Sequence, residues 1–142
     1  MSNLEHYMTS RYVNGGREWP EYDCWGLVRH QFHAIHGVWL PRFDGLDADN
    51  TLAKSRHYAQ LLRQFTERDH PSEGDVLAVV QGRACHHVGI CIELNGGLYA
   101  METDEQTGPR VVTLAQFKED HETVKCYAPA ADLQQRIHQP AG

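Results

Sequence analysis

The segment EYDCWGLVRHQF, residues 21–32, places a cysteine at the start of a predicted helix. An amphipathic helix is indicated by the spacing of the apolar residues at positions 24, 27, 28, 32 and 35. Asp23 is a favourable N-cap, and Gly37 is placed to end the helix in the left-handed conformation. We therefore predict a helix between these two residues, with Cys24 as its first residue.

The rest of the chain divides into a second helix and a series of short strands. The second helix is predicted from Asn50 to about Thr66, with an apolar face made by Leu52, Tyr58, Leu61, Leu62 and Phe65. After a turn at residues 71–74 come segments rich in β-forming residues, at 75–80, 86–94, 97–103, 110–114 and 123–128. Helices followed by strands predict an α+β fold with a mainly antiparallel sheet.

Length and composition fit one globular domain. The chain has 142 residues, of which 41% are hydrophobic and 9% aromatic, and a chain of this size can bury a core without disulfides or metals. We expect a single domain over residues 1–128. Residues 129–142 are predicted to be a short tail, either a frayed helix or disordered.

Charge and hydropathy argue against two classes of partner. The formal net charge of -6 disfavours nucleic acid, because phosphate binding needs a basic face. No apolar run is long enough to span a bilayer, so membrane insertion is not expected. The N-terminus MSNLEHYMTSRY lacks the basic and apolar regions of a signal peptide, which predicts synthesis in a cytoplasm without export by that route.

The four cysteines, at positions 24, 85, 91 and 126, are not expected to form disulfides in a chain without an export signal. The segment CHHVGIC, residues 85–91, combines two cysteines with two histidines and raises the alternative of a zinc site. Zinc sites usually use a close Cys-x-x-Cys or His-x-x-x-His pair. Zinc is therefore a minor alternative, and no metal ligand is assigned.

Cys24 has two interpretations, as a packing residue or as a nucleophile. Cysteine is often simply buried, and a core-facing helix start would accept a small apolar side chain. However, free N–H groups and the positive end of the helix dipole at this position stabilise a thiolate. The same N–H groups could hold the oxyanion of a tetrahedral intermediate. On Cys24 alone, the packing interpretation is favoured.

A nucleophilic cysteine needs a base, and His87 is the best candidate. In the strand HHVGICIE, residues 86–93, alternation puts Val88 on the apolar face and His87 and Gly89 on the other. A histidine beside glycine suits a groove in which another group approaches closely, although solvated strand histidines are also common. His86 is the competing base, but the alternation places it on the core face.

A resemblance to a known family is carried by three segments in order, RYVNGGREWPEYDCWGLV, PSEGDVLAVV and HHVGICIELNGGLYAME. Together they resemble the NlpC family of papain-like cell-wall cysteine peptidases over about residues 11–127. The stretch DCWGLVRHQFHAIHGVWLPRF is similar to the phage tail-assembly branch. The resemblance implies a papain-like fold, in which a helix carrying the cysteine packs on an antiparallel sheet carrying the histidine. It also implies hydrolysis of a peptide bond in peptidoglycan stem peptides, commonly that between D-glutamate and diaminopimelate.

Residue roles follow from the same resemblance. It implies that Cys24 is the nucleophile and His87 the general base and later acid. Tyr12 matches a family tyrosine beside the nucleophile, and Asp23 matches the aspartate before it, although a helix cap explains Asp23 equally well. The order of cysteine before histidine differs from permuted relatives with lipid-modifying roles. No cofactor is expected for such a thiol hydrolase.

The third catalytic position departs from the family, which usually places a polar residue, often histidine, on the next strand. If residues 95–96 form a two-residue turn, Glu102 opposes Gly89 and lies diagonal to His87. A carboxylate there could orient the imidazole and raise its basicity. Asp104, directly opposite His87, is the second choice, and a slip of one residue would turn Glu102 to the wrong face.

The sequence therefore predicts a thiol hydrolase that acts on peptidoglycan stem peptides. Without a signal peptide or wall-binding repeats, the simplest setting is a phage or prophage tail. Such a component is made in the bacterial cytoplasm and acts at the periplasm or cell wall beside other tail proteins. Two alternatives remain open: a structural tail-assembly protein that has lost turnover, consistent with the missing third histidine, and an injected antibacterial amidase with an immunity partner.

Overall fold

A computed structural model describes residues 3–44, 51–82 and 84–130. The helices are α1 (Asn3–Met8), α2 (Cys24–His36), α3 (Thr51–Leu62) and α4 (Leu114–Asp120). The strands are β1 (Arg11–Tyr12), β2 (Arg17–Glu18), β3 (Glu21–Tyr22), β4 (Phe65–Arg68), β5 (Val76–Gln81), β6 (Ala84–Leu94), β7 (Gly97–Asp104), β8 (Gly108–Thr113) and β9 (Thr123–Pro129). Within the described ranges, no helix combines the length and the apolar character that crossing a membrane requires.

The helix predicted from the opening segment is α2. Asp23 is its N-cap and accepts a hydrogen bond from Gly26 N at 2.8 Å. Gly37 ends the helix in the left-handed region, with φ of 77°, and donates its N–H to His33 O at 2.7 Å. Both predicted helix ends are confirmed.

Six strands form one antiparallel sheet in the order β4-β9-β5-β6-β7-β8. The five strand segments predicted from the sequence correspond to β5 to β9. The predicted α+β fold with a mainly antiparallel sheet is confirmed.

Helix α2 packs on one face of this sheet. Its Leu27, Val28 and Phe32 share a buried cluster with Val88 and Ile90 of β6. Burying apolar side chains of this size contributes roughly 1.5–3 kcal/mol each before entropy losses. The packing therefore fixes the first residue of α2 over the middle strands of the sheet.

The opposite face of the sheet is also covered. Cys91 of β6 and Phe117 of α4 belong to a second buried cluster. A Cβ added at Gly89 would lie 3.2 Å from Cζ of Phe117. The same Cβ would lie 3.0 Å from the carbonyl oxygen of Met101, so glycine lets both β7 and Phe117 approach β6 closely.

A small sheet in the order β1-β3-β2 precedes α2. β1 and β3 run parallel, with Tyr12 opposite Tyr22, just before the helix begins. A Cβ at Gly26 would overlap the carbonyl oxygen of Gly16, so glycine lets the loop before β2 contact the first turn of α2. The small sheet thereby brings Tyr12 beside the N-terminus of α2.

The second predicted helix is shorter than expected. α3 ends at Leu62, and Phe65 instead begins β4, opposite Pro129 of β9. Leu52, predicted on the apolar face, is 64% exposed, whereas Tyr58 is buried as predicted. Phe65 fits the helical spacing, but pairing with a distant strand decides its conformation, and this pairing is not visible in the local sequence.

Two further differences lie near the C-terminus. Helix α4, seven residues long, was not predicted because so short a segment gives no clear periodicity. Leu114, assigned to a strand, begins this helix after the N-cap Thr113. Pro129, predicted to begin the tail, is the last residue of β9, and the rest of the predicted tail, residues 131–142, lies outside the described residues.

Candidate active site

Cys24 and His87 lie together where the N-terminus of α2 meets β6. Both side chains line the same cleft, both residues are buried, and each side chain shifts the pKa of the other. The packing of α2 on β6 brings the first residue of the helix to the strand that carries His87. The two side chains that the sequence singled out, 63 positions apart in the chain, therefore line one cleft.

Glu102 holds the other side of the imidazole. His87 Nε2 donates to Oε1 of Glu102 at 2.7 Å. The β6–β7 hairpin has the predicted two-residue turn, with Leu94 opposite Gly97, and this register brings Glu102 within reach of His87. Because Nε2 is engaged, Nδ1 is the ring nitrogen left for Cys24.

Asp104, the second choice for this position, has a different role. Its Oδ1 accepts hydrogen bonds from the backbone N–H groups of Gln106 and Thr107, both at 2.8 Å. These contacts stabilise the turn between β7 and β8. Of the two carboxylates considered from the sequence, the structure brings Glu102 to His87.

A β-bulge lies at His86, next to His87 in β6. The β5–β6 pairing shifts between Val79, opposite His87, and Val80, opposite Cys85. His86 is the extra residue, and a bulge interrupts the alternation of side chains. Cys85, and not His86, belongs to the core cluster under α2. His86 is half-buried and lines a cleft. The prediction that His86 lies on the core face is wrong for this reason.

The contact between Cys24 and His87 favours an ion pair. Burial raises the pKa of the Cys24 thiol, but the hydrogen bond and positive charge of His87 outweigh burial and lower it below its ordinary value. Burial lowers the pKa of His87, but hydrogen bonds to Cys24 and Glu102 raise it to about 9. Each group therefore stabilises the charged form of the other, a thiolate beside an imidazolium.

Glu102 has two further partners. Arg110, directly opposite in the β7–β8 register, donates from Nε and Nη2 to Oε2 at 3.0 and 2.7 Å. His121 donates from Nε2 to Oε1 at 3.2 Å. Burial raises the pKa of Glu102, but His87 and Arg110 lower it to about 2, so this carboxylate is ionised at neutral pH.

The start of α2 is held by a buried ion pair. Asp23 Oδ1 lies 2.6 Å from Arg17 Nη1 and also caps the N–H of Gly26. The two preceding amides, those of Cys24 and Trp25, have no intrahelical acceptor at a helix N-terminus. They lie next to the thiol, where an oxyanion would form.

Replacing Arg17 by alanine is expected to destabilise the protein strongly. The side chains of Arg17 and Asp23 are 3% and 10% exposed, so the substitution leaves a buried carboxylate without its cation. Breaking a buried pair in this way costs about 3–5 kcal/mol. Urea denaturation measures the change in the free energy of unfolding.

The matched control for that experiment is Arg11→Ala. Arg11 pairs with Glu21 at 2.8 Å, and their side chains are 69% and 44% exposed. Loss of such a surface pair should cost less than about 1 kcal/mol. Similar losses in the two variants would contradict the structural role assigned to Arg17.

Two tyrosines lie near the thiol. Tyr58 Oη is 3.6 Å from Cys24 Sγ. Burial and the charge of Cys24 raise the pKa of Tyr58 well above its ordinary value, so its hydroxyl stays protonated and can donate to a thiolate. Burial and Cys24 likewise raise the pKa of Tyr12 to about 12. The structure places Tyr12 beside the cysteine, as the sequence predicted.

A cleft of about 320 Å³ leads to Cys24 and His87, a volume in the range of small-ligand sites. It gives access to the thiol although Cys24 is only 7% exposed. The other lining residues carry both signs of charge and several hydrogen-bonding groups: Tyr12, Lys54, His86, Thr103, Asp104, Glu105, Gln106 and His121.

One group of side chains in the described part of the chain could hold a metal ion. The ligand atoms of His87, Glu102 and His121 lie within 4.8 Å of one another. Arg110 already binds Oε2 of Glu102, so a metal cation would meet a guanidinium at the same carboxylate. This competition argues that hydrogen bonds, and not a metal ion, hold these three side chains together.

The zinc alternative considered for residues 85–91 is not supported by the packing. Cys85 lies in the cluster under α2, and Cys91 lies in the cluster under α4. The two thiols face opposite sides of the sheet and do not converge on one position.

Sequence reasoning missed several residues that surround this site. Arg110 could have been found by closing the turn after Asp104, because Arg110 then opposes Glu102. Tyr58 was considered only as an apolar residue of α3. His121 had no sequence signal, since it follows a helix that was not predicted.

Comparison with known proteins is consistent with this geometry. The sequence profile of the NlpC/P60 family matches residues 9–124, most of the chain. No curated protein matches the chain. Members of this family are generally cysteine peptidases or amidases of the cell wall, and the helix packed on an antiparallel sheet is consistent with their papain-like fold. The chain belongs to the NlpC/P60 family.

Proposed function

We propose that the chain is a cysteine peptidase or amidase that hydrolyses a peptide bond in peptidoglycan stem peptides. The observation that carries this proposal is that the Cys24 thiol shares one cleft with His87, whose ring is hydrogen-bonded to Glu102 at 2.7 Å. A nucleophile, a base and a group that orients the base are the parts that covalent acyl transfer needs. Membership in a family of cell-wall enzymes supports the substrate class.

In the first step, the Cys24 thiolate attacks the carbonyl carbon of the stem peptide. A C–S bond forms, and the electron pair of the C=O bond moves onto oxygen. The resulting oxyanion accepts hydrogen bonds from the first amides of α2 and from the Tyr12 hydroxyl, which lines the same cleft. The positive end of the helix dipole stabilises the same charge.

His87 then acts as an acid and afterwards as a base. Its Nδ1 proton passes to the leaving amine as the C–N bond breaks, and a thioester with Cys24 remains. The neutral imidazole next takes a proton from water, which attacks the thioester. Collapse of the second tetrahedral intermediate breaks the C–S bond and releases the carboxylic acid. The Cys24 thiolate is then restored beside the imidazolium, which keeps the proton taken from water.

Glu102 favours turnover over a purely structural tail protein. The third residue of the family is often a histidine, and the missing third histidine is what makes a protein without activity plausible. Here a carboxylate that is 0% exposed accepts a hydrogen bond from the imidazole. A buried charge at this position is costly unless it is used or paired, and it is suited to orienting His87.

The finer proposal concerns the bond and the setting. We propose the bond between D-glutamate and diaminopimelate as the one cleaved, and a phage or prophage tail acting at the cell wall as the setting. Support for the tail comes from the resemblance of residues 23–43 to the tail-assembly branch. Other tail proteins are then the expected partners.

Muropeptides of defined structure test this proposal. The purified protein should convert them to two products whose masses correspond to hydrolysis of one stem-peptide bond, and the fragment masses identify that bond. Failure to cleave any stem peptide would overturn the proposed activity. Toxicity only after delivery to the periplasm, relieved by a neighbouring gene product, would indicate an injected amidase instead of a tail component.

A further inference from the structure

We propose that Arg110 is a positioning residue, which fixes the Glu102 carboxylate so that one of its oxygens faces His87. The inference rests on the proposed function, because it assigns Arg110 a part in the same hydrolysis. The third catalytic position of this chain then consists of two residues, the Glu102 carboxylate and the Arg110 guanidinium that holds it.

The two oxygens of the Glu102 carboxylate have different hydrogen-bond partners. Both Arg110 donors, Nε at 3.0 Å and Nη2 at 2.7 Å, bind Oε2. Oε1 is left to His87 at 2.7 Å and His121 at 3.2 Å. Turning the carboxylate out of this plane would weaken all four bonds, so Arg110 fixes the orientation in which the imidazole meets the carboxylate.

Charge gives a second reason for Arg110. Glu102 is 0% exposed, and a buried carboxylate stays ionised only beside a cation. His87 is such a cation only while it holds both protons, and it loses one to the leaving amine during each turnover. Arg110 remains charged throughout, so it keeps Glu102 ionised while His87 is neutral.

Helix α4 holds Arg110 in place. Asp120 Oδ2 accepts from Arg110 Nη2 at 2.8 Å, and Asp120 Oδ1 accepts from Gln116 Nε2 at 2.8 Å. The charged and titratable groups that face Glu102 are therefore His87 from β6, Arg110 from β8 and His121 after α4, with Asp120 behind Arg110. The guanidinium is the permanent positive charge in this set.

Arg110→Ala should lower kcat by about 10²-fold, because misplacing a catalytic group by about 1 Å has an effect of that size. KM should change little, since Arg110 acts through Glu102 and does not contact the substrate. Added guanidinium ion should restore at least about tenfold of the lost kcat by occupying the vacated position. In the Glu102→Gln variant, the additional substitution Arg110→Ala should change kcat little, because the effects of substitutions at coupled residues are not additive.

Alkylation of Cys24 by iodoacetamide gives a readout that needs no substrate. Without Arg110, the Glu102 carboxylate is no longer held against His87, and the imidazolium form of His87 is less stable. A less populated imidazolium stabilises the Cys24 thiolate less. The pH midpoint of Cys24 alkylation should therefore rise by at least about half a unit in Arg110→Ala. A residue that only stabilised the fold would lower the melting temperature and leave this midpoint unchanged.

The matched control is Arg68→Ala. Arg68 Nε lies 4.0 Å from Asp75 Oδ2, and the side chains are 42% and 3% exposed. This is also a partly exposed arginine beside a buried carboxylate, but Arg68 ends β4 and Asp75 precedes β5, and neither residue lines the cleft. The variant should lose stability and keep the kcat and the Cys24 midpoint of the original protein.

Wild-type kcat and an unchanged midpoint in folded Arg110→Ala would overturn the inference. So would a loss of kcat that guanidinium does not restore, with the midpoint unchanged. If Arg110→Ala does not fold, Arg110→Lys takes its place, because lysine keeps the charge but not the planar fork of donors. The kcat of Arg110→Lys should fall about tenfold. An unchanged kcat in Arg110→Lys would also overturn the inference. If the wild type hydrolyses no stem peptide, the proposed function fails, and the alkylation midpoints still decide the role of Arg110.

Discussion

Cys24→Ala is expected to abolish hydrolysis of stem peptides and to leave the fold intact. The thiolate is the protein group that forms a bond to the substrate carbon in the proposed reaction, so its removal should lower kcat by about 10⁴-fold or more. The side chain that remains is smaller by one sulfur atom and keeps the helix N-cap at Asp23. Mass spectrometry of muropeptide digests measures the loss, and circular dichroism measures the fold.

Cys85→Ala is the control for this experiment. Cys85 is also buried near the site, and burial raises the pKa of its thiol to about 12, so it is not a nucleophile at neutral pH. This variant should retain hydrolysis. Equal activity in Cys24→Ala and the wild type would overturn the assignment of the nucleophile.

Glu102→Gln is expected to lower kcat by about 10⁴-fold, as the equivalent loss of charge does in a serine-peptidase triad. The amide has nearly the same shape as the carboxylate but carries no charge. It cannot support the imidazolium that forms with the Cys24 thiolate, and its NH₂ group can face His87 in place of an acceptor. The kcat of purified variants on one muropeptide measures the effect.

Asp104→Asn separates the two carboxylates considered for this position. Asp104 binds backbone amides of its own turn, so its substitution should affect stability more than kcat and have a far smaller effect on hydrolysis than Glu102→Gln. A larger loss of kcat in Asp104→Asn would identify Asp104 as the residue that orients His87.

The parts of the site that could be predicted from sequence are determined by short-range rules. The N-cap Asp23 and the left-handed Gly37 define α2 and put Cys24 at its first position. The two-residue turn at residues 95–96 fixes the β6–β7 register, which led to Glu102. Each of these depends on a few neighbouring residues, whose conformational preferences are strong.

The parts that could not be predicted depend on contacts between distant segments. The bulge at His86 arises from pairing with β5, and Phe65 forms a strand because β9 lies beside it. Arg17 reaches its buried position through Asp23 and the carbonyl groups of residues 42 and 43. Local periodicity contains no information on such contacts, since tertiary packing overrides propensity.

The pH dependence of Cys24 alkylation tests the central claim, which is that a thiol at the start of α2 forms an ion pair with His87. Liquid chromatography and mass spectrometry can follow iodoacetamide labelling of each cysteine separately. Cys24 should react with a midpoint below the ordinary thiol pKa of 9.0, and His87→Ala should raise that midpoint. A Cys24 midpoint at or above the ordinary value, unchanged in His87→Ala, would contradict the account.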